Sequence, residues 1–283
     1  MVSRRKILAY GGASLCFPAI GYGAVTPFRL GLTPVFLDND AEIVDQLQSA
    51  FAEALGIPVE LEQRRTYEEV TGLLLEGSID AAWLCGFPYL QHKEELSLMA
   101  VPVWRGKPLY QSYFIAAADD KASALAEFRG AAHAFSDPDS NSGYLVTASD
   151  LARINESPER FFGRTIFTFG HRNVVRAVAS GLVRSGSVDG YVWEALAKTE
   201  PELTRRTRVV QNSEWLGFPP FCMRSDRSQE PEIQAMGKAL LNMNRTKAGK
   251  IALKLLQLDS MTAADAALYD GIAARMRTYY SFK

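Results

Sequence analysis

The chain has 283 residues, 47% hydrophobic and 22% charged, with a formal net charge of −1. This is the composition of a soluble globular protein, with enough chain for one large core or for two lobes. The charge balance leaves no footprint for nucleic acid, and His92, His133 and His171 are too scattered for metal-ligand spacing.

The first element is Ser3-Arg4-Arg5-Lys6-Ile7-Leu8, a basic start carrying a twin-arginine pair. An apolar, glycine-containing stretch runs from Ile7 to Ile20, and Gly21, Gly23 and Ala24 offer cleavage points. The stretch is too short to span a bilayer. Residues 1–24 therefore read as an export signal of twin-arginine type, with the general secretory route as the alternative and an uncleaved anchor or cytosolic tail as the competing reading. Leu15 is too large for a lipid-attachment site at Cys16. Cleavage near residues 21–25 takes three of the 31 basic residues and none of the 32 acidic ones, leaving a net charge of −4. It also leaves two cysteines, Cys85 and Cys222, which an oxidising compartment would allow to pair.

Beyond the signal, strand and helix patterns alternate. Phe28 to Leu32 reads as a strand, and Ile43, Leu47, Phe51 and Leu55 recur at helical spacing. Pro58 to Gln63 alternates like a strand. Thr66-Tyr67-Glu68-Glu69 is a capping box for a helix closing near Gly77. Asp80 to Cys85, Leu98 to Trp104 and Tyr110 to Ala118 follow as strands. Ala131 to Ser136 and Thr165 to Phe169 are strands, each leading into a helix, the second spanning His171 to Leu182. Asp189 to Trp193 reads as a further strand, and Arg208 to Gln211 as a strand leading back. From about Glu230 the chain is helical, ending with Ala263 to Met276. Its Met236 and Met243 read as core, as do Trp83 and Trp193. This order predicts an α/β fold with largely parallel sheets.

Ser136-Asp137-Pro138-Asp139-Ser140-Asn141-Ser142-Gly143-Tyr144-Leu145 carries the most chemistry. Three hydrogen-bonding side chains and a glycine precede an apolar-periodic segment. The first amides of a helix lack intrahelical partners and carry partial positive charge, so this is a helix start suited to an anion. Taken alone, an ordinary N-cap is the simpler reading. Ligands of open α/β sheets lie beyond the carboxyl ends of strands. Cys85, Ser140 to Ser142, His171 and Glu194 all fall at such predicted ends.

On these residues the chain resembles the phosphate/phosphite/phosphonate-binding proteins of bacterial ABC importers. The carriers are Thr66 to Val70, Gly77 to Leu84, Gly106 to Ser112, Ser136 to Leu145, Gly170 to Val175 and Val188 to Gly190. The resemblance implies an exported, periplasmic, two-lobed binding protein of type II. Lobe 1 would be 25–113 plus 214–283 and lobe 2 would be 114–213, joined by two crossings. It implies that Ser140, Asn141 and Ser142 cap a small oxyanion, with Tyr67, Tyr110 and His171 binding the same group, and that Glu194 matches an amine-holding acid of aminophosphonate binders. It implies an ABC permease as partner, with no cofactor, no metal and no enzymatic activity.

Two departures qualify the resemblance. Trp215 to Phe221 lacks the second acid of the aminophosphonate binders, which counts against an amine ligand. Cys85 stands where the family has a small residue. A thiol adds little for phosphate but suits trivalent arsenic. It resembles the arsenite-sensing branch, whose partner is a sensor-kinase ectodomain, although free cysteine is often a plain buried hydrophobe. A secreted hydrolase is the alternative from another class, through Ser142 or Ser136 with His171, or a Cys85/His171 pair. The Gly-x-Ser-x-Gly elbow is missing.

Overall fold

The computed structural model describes residues 26–34 and 41–282; the export signal read at 1–24 lies outside them. In chain order the strands are β1 (Phe28–Leu32), β2 (Val59–Gln63), β3 (Ala81–Trp83), β4 (Leu96–Val103), β5 (Leu109–Tyr110), β6 (Ser112–Ala117), β7 (Ala132–Phe135), β8 (Arg164–Phe167), β9 (Ser185–Asp189), β10 (Thr207–Asn212), β11 (Leu216–Gly217), β12 (Phe221–Arg224) and β13 (Ser260–Thr262). The helices are α1 (Ala41–Leu55), α2 (Tyr67–Leu75), α3 (Gly86–Gln91), α4 (Val146–Ala152), α5 (Pro158–Phe161), α6 (His171–Ala179), α7 (Gly190–Thr199), α8 (Pro201–Thr204), α9 (Pro231–Leu241), α10 (Lys247–Leu255) and α11 (Asp270–Phe282).

Two sheets result. The first runs β13-β4-β12-β3-β1-β2 and the second β10-β6-β9-β7-β8. The short strands β5 and β11 pair antiparallel with each other where the chain passes between the sheets. The fold is the two-lobed α/β architecture that the sequence predicts. The sheets are mixed, however, and not largely parallel. β2-β1-β3 and β9-β7-β8 are parallel, whereas β12 lies antiparallel to β3 and β4, and β6 antiparallel to β9 and β10. Parallel neighbours need a crossover connection, usually a helix. β6 and β12 arrive directly from a crossing without one, so they enter reversed.

Local signals explain most elements. The Thr66 hydroxyl accepts the Glu69 amide at 3.2 Å while the Glu69 carboxylate accepts the Thr66 amide at 3.2 Å, the reciprocal box that opens α2. The largest misreading is Asp189 to Trp193. Only Asp189 belongs to a strand; Gly190 onward is α7. Asp189 caps that helix by accepting the Tyr191 and Val192 amides at 2.8 and 3.4 Å. A short apolar run carries the same signature in either state. The true strand, Ser185-Gly186-Ser187-Val188-Asp189, is built of small residues because α6 crosses it closely. A Cβ on Gly186 would come within 2.5 Å of Val174 Cγ1. The strand expected over Tyr110 to Ala118 is interrupted at Gln111, and the last helix starts at Asp270, after β13 and a short 3-10 turn. Trp193, expected in the core, is only partly buried.

The main hydrophobic core extends through both sheets, from Phe28 and Leu30 to Val188 and Tyr191. A separate cluster of Phe114, Phe128, Phe135, Phe161 and Phe162 underlies the second sheet. His133 stacks in it between Phe114 and Phe162, at 5.0 and 4.3 Å between ring centroids. Its ring nitrogens meet Ser185 Oγ at 2.8 Å and Ser187 Oγ at 2.9 Å. Burial pushes its pKa down to about 3. The unfolded chain binds a proton here that the folded chain refuses, so this contribution to stability is full above about pH 6.5 and fades as the pH falls below it. Chemical denaturation of wild type and His133→Gln between neutral pH and about pH 5 should show wild type losing about 1–2 kcal/mol more than the variant. Parallel losses would show that His133 does not titrate in this way.

Candidate functional site

Ser136 leaves β7 into a tight turn. Asp137 accepts the Asp139 amide on Oδ1 at 2.8 Å, and its carbonyl accepts the Ser140 amide at 3.0 Å. Ser140 then caps the next helix, its Oγ accepting the Gly143 amide at 2.9 Å. That helix opens with a wide π-type turn over Asn141–Leu145, in which the Leu145 amide reaches the Ser140 carbonyl at 3.0 Å. The turn folds back on the strand, with the Ser136 amide on the Gly143 carbonyl at 3.2 Å. Gly143 is needed for this approach, because a Cβ there would lie 1.8 Å from Ser136 Oγ. Ser112 Oγ, just past the first crossing, holds the Ser142 carbonyl at 2.6 Å.

The first lobe's side of the seam meets this turn at three points. The Asn141 amide donates to Cys85 Sγ at 3.3 Å, and Asn141 Nδ2 donates to the Tyr110 hydroxyl at 2.8 Å. The Tyr67 amide, at the start of α2, donates to Asp137 Oδ2 at 3.2 Å. The Tyr67 hydroxyl lies 3.2 Å from His171 Nε2. Tyr67, Cys85, Tyr110, Ser140, Asn141, Ser142 and His171 are therefore brought together, and each is at most 2% exposed.

The hydrogen bonds determine the histidine's tautomer. The Asp189 amide donates to His171 Nδ1 at 3.0 Å, so Nδ1 carries no hydrogen. Burial pushes the His171 pKa down to about 3, leaving the ring neutral with its hydrogen on Nε2. Nε2–H donates to the Tyr67 oxygen, and the Tyr67 hydrogen is left to point at a third group. Burial holds the Tyr67 and Tyr110 hydroxyls well above their ordinary pKa of 10.0, so both remain donors. Burial pushes the Cys85 thiol up to about 12, the Asp137 carboxyl to about 6 and the Asp189 carboxyl to about 7. The seam thus offers neutral hydroxyls and amides, with no lysine or arginine in this hydrogen-bond network. Such donors hold an anion strongly when water is excluded.

Buried polar atoms without partners point the same way. Among the described residues three side-chain atoms qualify: Thr71 Oγ1, Ser136 Oγ and Asn141 Oδ1. Two of the three lie in this turn.

Glu194 is placed elsewhere. It lies within α7, not at a strand end, because the strand ends at Asp189. Its carboxylate accepts from Arg105 at 2.9 Å and Tyr113 at 3.1 Å. The residue at the strand end is Asp189, which sequence reasoning passed over. An Asp-Gly pair closing a strand is an N-cap signal that would have marked it. The inter-lobe acceptor role of Asp137 and the clamp from Ser112 were also invisible in the sequence.

The nucleophile pairings do not assemble. Both His171 nitrogens are engaged, by the Asp189 amide and by Tyr67. Cys85 and Cys222 are both free thiols, with Cys222 opposite Ala82 in mid-sheet and Cys85 beyond the end of β3. Among the described residues no group of His, Cys, Asp and Glu side chains could hold a metal.

Residues 30–269 match a protein family described as ABC transporter, phosphonate, periplasmic substrate-binding protein. The chain belongs to that family. Phosphonate-binding proteins of this kind capture solutes in the periplasm and are not enzymes, and their partner is an ABC permease. The fold agrees. A binding protein component of an ABC phosphonate transporter from Pseudomonas aeruginosa superposes with a TM-score of 0.82 at 22% identity, covering 92% of this chain and 89% of that one. PhnD1 from Prochlorococcus marinus, solved in complex with methylphosphonate, gives 0.78 at 16% identity, covering 89% and 98%. A histidine kinase sensor domain with similarity to periplasmic binding proteins gives 0.57 at 14% identity, covering 84% and 99%. No curated protein matches the sequence.

Two outcomes test this geometry. Gly143→Ala should cost about 1–3 kcal/mol in urea denaturation. Gly72→Ala on α2, where an added Cβ meets nothing within 4 Å, should cost nothing. At about pH 8 alkylation of Cys85 and Cys222 in the folded chain should be at least a thousandfold slower than after denaturation. Comparable rates would contradict the buried, protonated thiols.

Proposed function

We propose that the turn from Ser136 to Gly143 is an oxyanion clasp, and that this protein captures phosphate, phosphite or a simple phosphonate for an ABC importer. The observation that carries the reading is the convergence of neutral donors from both sides of the seam. Ser140, Asn141 and Ser142 come from one side, Tyr67 and Tyr110 from the other, with His171 orienting the Tyr67 hydroxyl outward from its own bond. Lobes 25–113 plus 214–283 and 114–213 would close on the ligand, and residues 1–24 would direct export, through a twin-arginine signal. The methylphosphonate bound by the Prochlorococcus protein supports the same ligand class here. Glu194 is already paired with Arg105 and Tyr113, which favours ligands without an amine.

A second reading is oxyanion or arsenite sensing through a kinase ectodomain. It is favoured by Cys85, whose Sγ reaches the Asn141 amide at the seam.

A thermal-shift panel of phosphate, phosphite, methylphosphonate, arsenate and arsenite tests both. A ligand at a hundred times its Kd stabilises by about 2.7 kcal/mol, which raises Tm by several degrees. A shift with phosphate or methylphosphonate is the expected outcome, and Tyr67→Phe should weaken that binding about tenfold or more, as for a lost hydrogen bond to charge. A shift with arsenite alone, abolished by Cys85→Ser, would replace the transport reading by the sensing one. No shift with any member would end both.

A further inference from the structure

We infer that Asn141 makes this site select an oxyanion carrying a hydrogen on one of its oxygens, and reject sulfate and sulfonates of the same shape and charge. The inference rests on the oxyanion reading above and names the determinant within it.

Asn141 is the first residue of the π-type turn and is fully buried, at 0% exposure. Its backbone amide is used by Cys85 Sγ at 3.3 Å and its side-chain Nδ2 by the Tyr110 hydroxyl at 2.8 Å. These two bonds orient the amide plane. They leave Oδ1 buried without a donor. A carboxamide oxygen is an acceptor only. Leaving it unmet in a dry site is costly, and a bare anionic oxygen placed against it adds repulsion.

The other orphan behaves differently. Ser136 Oγ is a hydroxyl that rotates to donate or to accept, so it suits any oxyanion and discriminates against none. Ser140, Ser142, Tyr67 and Tyr110 are hydroxyls as well, and donors for the charge. Asn141 Oδ1 is the member of the clasp that demands a hydrogen from the ligand. A phosphate or phosphonate monoanion supplies one from its P–OH group. Sulfate and sulfonates near neutral pH have none. Sites with such a committed polar group reject analogues lacking the matching hydrogen far more strongly than shape alone allows.

Methylphosphonate and methanesulfonate are the decisive pair. At about pH 6 each carries close to one negative charge, and the phosphonate keeps a P–OH hydrogen that the sulfonate lacks. Working at a single pH keeps the ionisation of Asp137, Asp189 and the other groups facing the clasp the same for both ligands. Calorimetry on the full chain should show methylphosphonate binding at least about a hundredfold tighter than methanesulfonate. Asn141→Thr replaces the acceptor by a rotatable hydroxyl and should narrow the gap to about tenfold or less, mainly by admitting the sulfonate. Asn141→Asp keeps an acceptor and should keep the gap, even where its charge weakens both ligands. Wild type binding the two within about threefold of each other would overturn the inference while leaving the oxyanion reading intact, and so would an unchanged gap in Asn141→Thr. If wild type binds neither methylphosphonate nor phosphate, the oxyanion reading fails and this inference fails with it. The wild-type comparison can overturn the inference even where a variant does not fold.

Discussion

The structure depends on one constraint. A buried seam lined with neutral donors must be held in register by atoms drawn from distant parts of the chain. The Asp189 amide sets His171, His171 sets the Tyr67 oxygen, and the Tyr67 amide is tied to Asp137 on the other side. Each bond uses up one hydrogen and leaves the next one aimed. Burial works against charge on the participants: the imidazole is neutral, the phenols stay protonated, and the Asp137 and Asp189 carboxyls are pushed up to about 6 and about 7. An anion entering such a seam meets oriented dipoles that need no reorganisation, which is the arrangement that makes charged hydrogen bonds strong.

The backbone is arranged to bring those parts together. Tyr110 lies on the first crossing and Ser112 immediately after it, so the segment that passes between the sheets also supplies two contacts to the turn after β7. The second crossing is secured from outside. Arg275 on α11, 3% exposed, donates to Glu214 just ahead of β11 and to Asp150, Ser149 and the Val146 carbonyl of α4. A buried guanidinium with its donors shared among so many acceptors is a position where losing the cation leaves carboxylates and carbonyls unmet. The C-terminal helix therefore ties the second crossing to α4, although it is remote from both in sequence.

Three residues of the predicted site acquire different meanings in three dimensions. Cys85 is a buried sulfur, its thiol pushed up to about 12, that accepts the Asn141 amide at the mouth of α3. Glu194 is an ion-pair partner on the side of α7. Asn141 is fully buried with Oδ1 unmet, and an amide oxygen cannot rotate into a donor as a hydroxyl can.

Periodicity, caps and turn chemistry are local, and they were legible in the chain: the α2 capping box, the helix start after Ser140, the βα alternation and the residues 66–70, 106–112, 136–145 and 170–175 that carry the family resemblance. Where the sequence misled, the information was not local. The run Asp189 to Trp193 became a helix because Asp189 caps it from the end of a strand whose small residues only α6 explains. β6 and β12 run antiparallel because they enter from the crossings. The polar composition of the turn could be read from Ser140, Asn141 and Ser142 alone. Which of its hydrogens and lone pairs remain free was decided by Cys85, Tyr110 and Asp189. These lie 18 to 56 residues from the groups they engage, and a hydrogen bond between such distant residues exists only once the fold has placed both ends.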